Sequence, residues 1–334
     1  MSKLNAQPRY KNNVSKRMNR NLVSSLVTVL GLLLQLNSTA QPSSTSYPSR
    51  QLLLRDEGRS TLNFVDLAHP ERNYVVAIPA GRDLQLVGQG RVMIGTGKGY
   101  EERDIKTGAK VAELTTFDGT IAARRLRNGS VLLVGLNWQG KKGIVLLELD
   151  QNQTVQRTIN YPDFTYVRLI RETVDGNFLL TANDQVFEGK PDGSIVWQAQ
   201  LTNQKKAQHA WQAQRLGNGY TLVSGGYSAN FQRFDRKGVW VDSISGPPMV
   251  NPHFFAGFQI LKSGNWVVAN WQGHGPDHGA SGTQVLEYTP AGKLVWSWKQ
   301  DPKKQSSIQG VLVLDGLDLN RLHVEDAQGR LVPN

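Results

Sequence analysis

The sequence contains no cysteine among its 334 residues. Disulfide bonds and thiolate metal sites are therefore excluded, and the fold depends on a packed core. Hydrophobic residues make up 39% of the chain, which is enough for a sizeable core in one large domain or two ordinary ones. The absence of cysteine also suits an oxidising compartment, since no disulfide can form there by accident.

Acidic residues are absent from residues 1–40, which hold six of the 38 basic residues. Without this segment the formal net charge falls from +11 to +5. The remaining charges of both signs are spread along the chain, so the basic pI does not indicate nucleic-acid binding. We predict no nucleic-acid partner.

Long apolar runs are also missing, except at residues 22–36. This run follows a basic region and is short for a membrane span, and Ser38-Thr39-Ala40 then offers small residues for cleavage. We predict a signal peptide over residues 1–40 with cleavage after Ala40, followed by a disordered linker over 41–50. The protein would then be secreted or periplasmic, without a membrane span. The alternative is an N-terminal anchor helix that is kept.

No helical period is found after residue 50, where short β-type runs alternate with tight turns such as Asn128-Gly129 and Asn218-Gly219. One kind of turn recurs every 39 to 52 residues, which is the period of propeller blades. We predict an all-β fold over residues 51–334, a six-bladed β-propeller of four-stranded antiparallel blades. Strands from both termini, including residues 308–314 and 322–325, would share the closing blade. Seven blades is the alternative, if the terminal strands form more than one sheet.

The long loops of such a fold gather at one end of the central channel. In a four-stranded meander, the second–third loops and the blade-to-blade connections lie at one end, and the tight hairpin turns lie at the other. Functional residues concentrate on loops that a rigid scaffold holds in place. We therefore predict the functional site at the long-loop end, which is called the mouth below.

Two predicted mouth loops begin with the same tetrapeptide, Asn-Trp-Gln-Gly, at residues 137–140 and 270–273. The later loop is longer and adds His274, Asp277 and His278. Imidazole and carboxylate groups are metal ligands, but the glycines and proline of residues 273–279 disfavour the helix on which a His-x-x-x-His spacing would align two rings. We predict no metal site and expect this loop to contact a ligand or a neighbouring blade.

The predicted ligand-binding residues of these two loops are Asn137, Trp138, Gln139, Asn270, Trp271, Gln272, His274, Asp277 and His278. The two tryptophans could stack on a sugar or aryl ring. The alternative is that both fill space between blades.

Basic side chains are also expected at the channel. Arg124 and Arg168 belong to predicted innermost strands, and His209 and His253 stand at strand entrances. Guanidinium groups match the geometry of sulfate, phosphate and carboxylate, so this set favours an anionic ligand. The alternative is that these polar groups line a water-filled channel.

Residues 218–223 (Asn-Gly-Tyr-Thr-Leu-Val) and 285–296 (Val-Leu-Glu-Tyr-Thr-Pro-Ala-Gly-Lys-Leu-Val-Trp) resemble the repeats of bacterial arylsulfotransferase-like and quinoprotein-like (PQQ-like) propellers. The resemblance covers most of residues 80–300 and consists of turn glycines and apolar positions. It implies a secreted bacterial propeller. An arylsulfotransferase-like enzyme would use a histidine nucleophile, for which His253 and His209 are the candidates, with Arg124 and Arg168 holding the sulfuryl oxygens.

The quinoprotein alternative would need a quinone cofactor and a divalent cation. The absence of cysteine and of a clear acidic cation site counts against it, and the identity of any cofactor stays open. We predict a secreted propeller whose mouth binds a small anionic or carbohydrate-like ligand, or a protein partner, with catalysis left open. The alternatives are an arylsulfotransferase-like enzyme acting at the same mouth and a scaffold that uses its blade edges for protein contacts.

Overall fold

The computed structural model describes residues 50–202 and 209–334. The predicted signal peptide and nearly all of the predicted linker lie outside the described residues. Arg50, the last residue of that linker, is buried, and its guanidinium lies 2.5 Å from Glu287 and 4.5 Å from the centroid of the Trp296 ring. The described residues contain no helix long and apolar enough to cross a membrane.

Six four-stranded antiparallel sheets make up the fold. The chain is a six-bladed β-propeller, as the sequence predicts. Five blades use four consecutive strands each, running from the channel outward in chain order. The strands of these blades are β4 (Gly81–Gly88), β5 (Arg91–Thr96), β6 (Gly99–Asp104), β7 (Lys110–Leu114), β8 (Ala122–Arg125), β9 (Val131–Leu136), β10 (Ile144–Leu149), β11 (Val155–Tyr161), β12 (Ile170–Glu172), β13 (Phe178–Ala182), β14 (Gln185–Gly189), β15 (Ile195–Gln200), β16 (Gln212–Arg215), β17 (Thr221–Ser224), β18 (Asn230–Phe234), β19 (Trp240–Ser245), β20 (Phe254–Ile260), β21 (Trp266–Trp271), β22 (Val285–Tyr288) and β23 (Leu294–Trp298).

The closing blade combines both ends of the described chain. Its order is β24 (Ile308–Val313), β1 (Gln51–Asp56), β2 (Thr61–Asp66) and β3 (Tyr74–Ala77), so one C-terminal strand is innermost and three N-terminal strands complete the sheet. This shared closure leaves no open gap between the first and last blades. It also places the β1–β2 loop, residues 57–60, at the mouth.

A separate two-stranded sheet follows the closing blade. It consists of β25 (His323–Glu325) and β26 (Leu331–Pro333). The prediction that residues 322–325 form a strand of the closing blade is wrong, because β1 already occupies the place beside β24. Backbone bridges instead join Leu322 to Val87 and Arg330 to Ile260, near the tight-turn ends of β4 and β20. The hairpin therefore lies at the end of the channel opposite the mouth.

The middle strands read as continuous apolar runs because neighbouring blades cover both faces of each sheet. All six residues of β10 and of β21 are buried, whereas the outermost strand β15 is mostly exposed. The predicted hairpin turns carry glycines with positive φ, such as Gly129 (86°) and Gly219 (84°). Each ends a three-residue loop, since Leu126 N–H donates to Ser130 O and Leu216 N–H donates to Tyr220 O, and the third residue of such a loop takes the left-handed conformation.

Three buried glutamines on innermost strands join neighbouring blades. Gln85, Gln212 and Gln259 each donate a side-chain hydrogen bond to a backbone carbonyl and accept one from the same residue's N–H, on Arg125, Phe258 and Val313 respectively. Each amide thus satisfies one backbone donor and one acceptor that would otherwise be buried without partners. These bonds fix the register between blades around the channel.

Candidate functional site

The mouth contains a cavity of about 350 Å³. Residues from all six blades line it, mostly at the starts of innermost strands and in the loops between second and third strands. The lining residues are Arg55, Glu57, Ser60, Ala80, Gly81, Arg82, Gly97, Thr120, Ile121, Arg168, Trp211, Tyr227, Phe254, Trp271, His274 and Gln309. Deeper in the channel the space falls to about 30 Å³, which holds a few water molecules at most. The mouth is therefore roomier than the part of the channel directly below it.

Arg55 lies on the inner wall of this cavity and is 1% exposed. Its Nη1 donates a hydrogen bond of 2.7 Å to Gln309 Oε1, and Nη2 reaches Pro79 O at 3.4 Å. Its Nε is buried and has no hydrogen-bond partner among the described residues. Burial lowers the pKa of Arg55 to about 10, with the charge of Arg82 acting in the same direction and the charge of Glu57 opposing it.

Arg82 and Arg168 complete a cationic cluster. Burial, followed by the charge of Arg168, lowers the pKa of Arg82 to about 10, and burial lowers the pKa of Arg168 as well. Arg168 Nε is buried without a hydrogen-bond partner among the described residues. In the described ranges, no carboxylate oxygen lies within 4.0 Å of a guanidinium nitrogen of Arg55, Arg82 or Arg168. The cluster therefore carries positive charge without a paired acid.

A bulge in β4 separates Arg82 from its neighbour Asp83. The pairing of β4 with β5 shifts register between Arg82 and Gln85, and Asp83 has a φ of 70°. Aspartate tolerates this left-handed conformation better than most residues, and bulges redirect side chains. Arg82 consequently lines the mouth, whereas Asp83 enters the channel below it.

Aromatic rings support the arginines. The Arg168 guanidinium carbon lies 4.6 Å from the Tyr166 ring centroid and 5.1 Å from the Trp211 centroid, and that of Arg82 lies 5.7 Å from the Trp211 centroid. Cation–π contacts of this kind hold a guanidinium in place without neutralising its charge. The arginines are therefore positioned while their charge stays available.

Tyr227 occupies the centre of an aromatic wall. Its ring centroid lies 4.7 Å from that of Phe254 and 6.2 Å from that of Trp271. The imidazoles of His209 and His253 approach the same ring at 5.5 and 6.2 Å. The cavity therefore has both a cationic and an aromatic lining.

Glu57 connects the β1–β2 loop to the loop after β21. Its two carboxylate oxygens accept hydrogen bonds of 2.9 Å each, Oε2 from Trp271 Nε1 and Oε1 from His274 Nδ1. The rings of Trp271 and His274 also meet edge to face, with centroids 4.6 Å apart. Trp271 and His274 are thus held at the cavity by the same acid.

Asn270 and Gln272, in the same 270–282 loop, hold this loop against its own blade. Asn270 is fully buried, and its side-chain amide bonds to the backbone of Val250, Asn251, His253 and Thr283. Gln272 is buried as well and donates to Asn251 O at 3.0 Å. The amides of these two predicted ligand residues hold the loop in place.

The other two polar residues of this loop do not line the cavity. The His278 ring packs over Gly273, where an added Cβ would lie 2.6 Å from the imidazole, and Asp277 is exposed. Across residues 50–202 and 209–334, no three His, Cys, Asp or Glu side chains are placed to hold one metal ion.

The shared tetrapeptides start at equivalent positions and then diverge. The N–H groups of Asn137 and Asn270 donate to Gly143 O and Gln284 O, the carbonyls just before the third strands of their blades. Trp271 then continues its strand, whereas Trp138 enters a short 3-10 turn, Trp138–Gly140, and covers Gly135.

The first tetrapeptide is placed away from the cavity. The Trp138 indole donates to Asp118 O at 3.0 Å, and Gln139 accepts from Thr158 on the outermost strand of its blade. Asn137 accepts a hydrogen bond from Gly143 N at 2.9 Å, which closes its own loop. None of these three predicted ligand residues belongs to the cavity lining of the described chain.

Arg124 lies deeper in the channel than predicted, in a buried ionic cluster. Arg124 bonds to both oxygens of Glu325 at 2.8 and 2.9 Å and lies 3.2 Å from Asp83. Arg171 binds both oxygens of Asp83 at 2.7 and 3.0 Å. Two arginines and two acids compensate each other here, so Arg124 is fully engaged within the protein.

His209 and His253 lie behind the aromatic wall. Burial lowers the pKa of His209, assisted by the charge of Arg168 and opposed by that of Asp184. The Nδ1 of His253 is 3.3 Å from Trp271 O. Both rings contact Tyr227, and neither belongs to the residues that line the cavity.

Arg55, Glu57 and Arg82 are the charged mouth residues that the sequence analysis missed. Residues 57–60 form the second–third loop of the closing blade, and Arg82 is the second residue of β4, after the blade-to-blade connection at residues 78–80. The positions of the 57–60 loop and of Arg82 follow from the blade repeat once each strand of the closing blade is assigned. The repeat thus indicates the place of Arg82 in its blade, whereas the direction of its side chain depends on the bulge in β4.

Sequence comparisons find no match, either among protein-family models or among curated proteins. Comparison with solved structures finds β-propellers. The likeness is one of fold. A protein of unknown function from Bacteroides caccae is 19% identical with a TM-score of 0.62, covering 79% of this chain and 98% of that one. A chain from a nidogen/laminin complex is 11% identical with a TM-score of 0.55, covering 80% and 99%.

A streptogramin B lyase structure is 13% identical with a TM-score of 0.51, covering 78% of this chain and 91% of that one. At these identities the neighbours support the propeller and transfer no activity to this chain. The arylsulfotransferase-like and quinoprotein-like families are not singled out by these comparisons.

Proposed function

We propose that the protein binds a small organic anion in the mouth of its propeller. The observation that carries this proposal is the cluster of Arg55, Arg82 and Arg168, which has no paired carboxylate among the described residues. Two of its N–H groups, Nε of Arg55 and Nε of Arg168, are buried without partners in the described chain. The cluster is left with uncompensated positive charge, which the oxygen atoms of an anionic ligand in the cavity would balance.

The size and wall of the cavity favour an organic anion over an inorganic one. A volume of about 350 Å³ falls in the range of small-molecule sites and far exceeds that needed by sulfate or phosphate. Phe254, Trp271 and Tyr227 present an aromatic surface in the same cavity. A ligand with a carboxylate or similar group at one end and a flat apolar body would contact both the arginines and the aromatic rings.

This arrangement supports the anionic ligand over the carbohydrate-like ligand and the protein partner. Trp138 lies outside the cavity, and the Trp271 indole N–H is already bonded to Glu57. Guanidinium groups are strong and specific partners for carboxylates, whereas sugar hydroxyls do not require unpaired positive charge. The proposal keeps the secreted or periplasmic location, which rests on the signal-peptide pattern of residues 1–40.

The arylsulfotransferase-like alternative is less well supported. Its candidate nucleophiles, His253 and His209, contact Tyr227 from outside the cavity lining, and Arg124 is occupied by Glu325. A nucleophile must reach the reacting atom, so neither imidazole is placed for sulfuryl transfer at this site. Binding is the function that the described geometry supports best.

Calorimetric titration with a matched ligand set tests the proposal. Benzoate and phenyl sulfate combine a negative charge with a ring, acetate and inorganic sulfate supply only the charge, and benzamide supplies only the ring. We expect benzoate or phenyl sulfate to bind measurably, acetate and sulfate to bind more weakly, and benzamide not to bind. Equal binding of benzamide and benzoate, or no binding of any anion, would reject the proposal.

A further inference from the structure

The pair formed by Glu57 and His274 has the geometry of an oriented base. The Nδ1 atom of His274 lies 2.9 Å from Glu57 Oε1, and an ionised carboxylate can only accept hydrogen bonds. Nδ1 therefore carries the hydrogen, which leaves the lone pair of the neutral imidazole on Nε2. Carboxylates fix the tautomer and orientation of histidine bases in this way.

The second oxygen of Glu57 makes this orientation firm. Oε2 accepts from Trp271 Nε1 at 2.9 Å, and Trp271 is itself only 5% exposed. The hydrogen bond from the buried Trp271 indole thus fixes the Glu57 carboxylate. The His274 ring packs edge to face against the same indole. The histidine side chain remains 75% exposed, so water has access to Nε2.

The base shares its cavity with the arginines. His274, Glu57 and Arg55 all line the mouth, and Glu57 is close enough to Arg55 for its charge to oppose the lowering of the Arg55 pKa by burial. Buried positive groups stabilise negative charge that develops in a transition state. The mouth therefore combines a water-accessible base with groups suited to an oxyanion.

We propose that His274 is a general base that activates water for the hydrolysis of carboxylate-bearing esters bound in the mouth. The inference rests on the proposed anion binding. Nε2 accepts a proton from water as the water oxygen bonds to the acyl carbon. The tetrahedral oxyanion then collapses, the acyl–oxygen bond breaks, and the proton on His274 passes to the departing oxygen. The products are an acid and an alcohol, and water is the only co-reactant.

The openness of the site favours water as the proton donor over a carbon acid. Proton abstraction from carbon benefits from a site that excludes water, whereas His274 stands at an exposed rim. Glu57 touches no substrate in this scheme and acts as a positioning residue.

The test uses one ligand for binding and another for turnover. Calorimetry with 4-acetamidobenzoate, which the site would bind without cleaving, measures anion binding. Release of hydroxybenzoate from 3- and 4-acetoxybenzoate measures hydrolysis, and methyl 4-acetoxybenzoate is the substrate without a charge. We expect the two charged esters to be cleaved preferentially, with a rate that falls in acid because a protonated imidazole cannot act as a base.

His274→Gln is expected to lower kcat/KM by about 10²- to 10⁴-fold, the usual contribution of a general base, and to remove the rising limb of the pH profile. Glu57→Gln is expected to lower kcat and KM together, because it loses the orienting charge but also removes a negative charge from an anion site. His69→Gln is the matched control, since His69 also faces a carboxylate, Glu71 at 3.3 Å, but on the opposite end of the propeller.

The outcomes separate the two proposals. Binding of 4-acetamidobenzoate without His274-dependent ester cleavage overturns the catalytic role and leaves anion binding intact. Equal losses in His274→Gln and His69→Gln would overturn it as well. Failure of 4-acetamidobenzoate to bind, together with equal cleavage of charged and uncharged esters, rejects the proposed anion site itself.

Discussion

Glu57 Oε1 lies 2.9 Å from His274 Nδ1, although the two residues are 217 positions apart in the chain. The contact joins the loop of the closing blade to the long loop of the preceding blade at the rim of the channel. Only closure of the ring by strands from both termini brings these loops together. The mouth is therefore a product of the whole propeller and not of any single blade.

Glu57→Gln should tighten the binding of benzoate at the mouth. The substitution removes the only carboxylate among the described residues that line the cavity, while the arginine cluster is kept. We expect affinity to rise by about three- to tenfold, the scale of one partly screened unit charge, and the gain to shrink as salt is added. Calorimetry at low and high ionic strength measures both effects, and weaker binding by the variant would contradict this account of the site.

The buried ionic cluster should be essential for folding. Glu325→Gln removes one of two acids that compensate Arg124 and Arg171, so we expect the free energy of unfolding to fall by about 3–5 kcal/mol. Denaturant titration gives the value. Asp175→Asn, on an exposed turn at the same end, is the control and should change stability by less than about 0.5 kcal/mol.

The same cluster should make stability depend on acid. Burial opposes ionisation of Asp83, but the charges of Arg171 and Arg124 outweigh it and hold the pKa of Asp83 below its ordinary value. The stabilisation is therefore complete above the ordinary aspartate value of about 4 and is lost as the pH falls below it. Asp83→Asn should flatten the stability profile in that window, and an unchanged slope would argue against the charge pairing.

The interblade glutamines provide a stability test with an internal control. Gln259→Leu leaves Val313 N–H and C=O without partners, so we expect a loss of about 2–5 kcal/mol. Gln214 is also buried on an innermost strand, but its Oε1 has no partner among the described residues, and Gln214→Leu should cost less than about 1 kcal/mol. Similar losses of stability in both variants would mean that the polarity of the channel determines stability, and not the two hydrogen bonds between Gln259 and Val313.

The fold was predictable because it repeats. Turn glycines at blade spacing and apolar runs between them specify four-stranded sheets six times over, and the structure confirms that reading. Arg168, Trp271 and His274 were also placed at the mouth, because loops and strand entrances occupy fixed positions in each blade.

Other parts of the site depend on bulges and on contacts between distant parts of the chain, which the sequence of a single strand does not reveal. The bulge in β4 sends Arg82 to the mouth and Asp83 into the channel, and simple alternation does not predict such a shift. Arg124 looks like a free cation in its own strand, but its partner Glu325 arrives from a hairpin about 200 residues later. Buried amides such as Asn270 resemble ligand contacts in sequence because both roles need the same hydrogen-bonding groups.

The central claim, that the arginine cluster binds an organic anion, is tested most directly by measuring benzoate affinity in Arg168→Gln. Arg59→Gln is the control, because Arg59 is an exposed arginine at the same end that does not line the cavity. A lost charge-assisted hydrogen bond of about 1.5–3 kcal/mol corresponds to roughly 10- to 100-fold in affinity. We predict a loss of that size for Arg168→Gln and almost none for Arg59→Gln. Equal affinities in the wild type and Arg168→Gln would contradict the account.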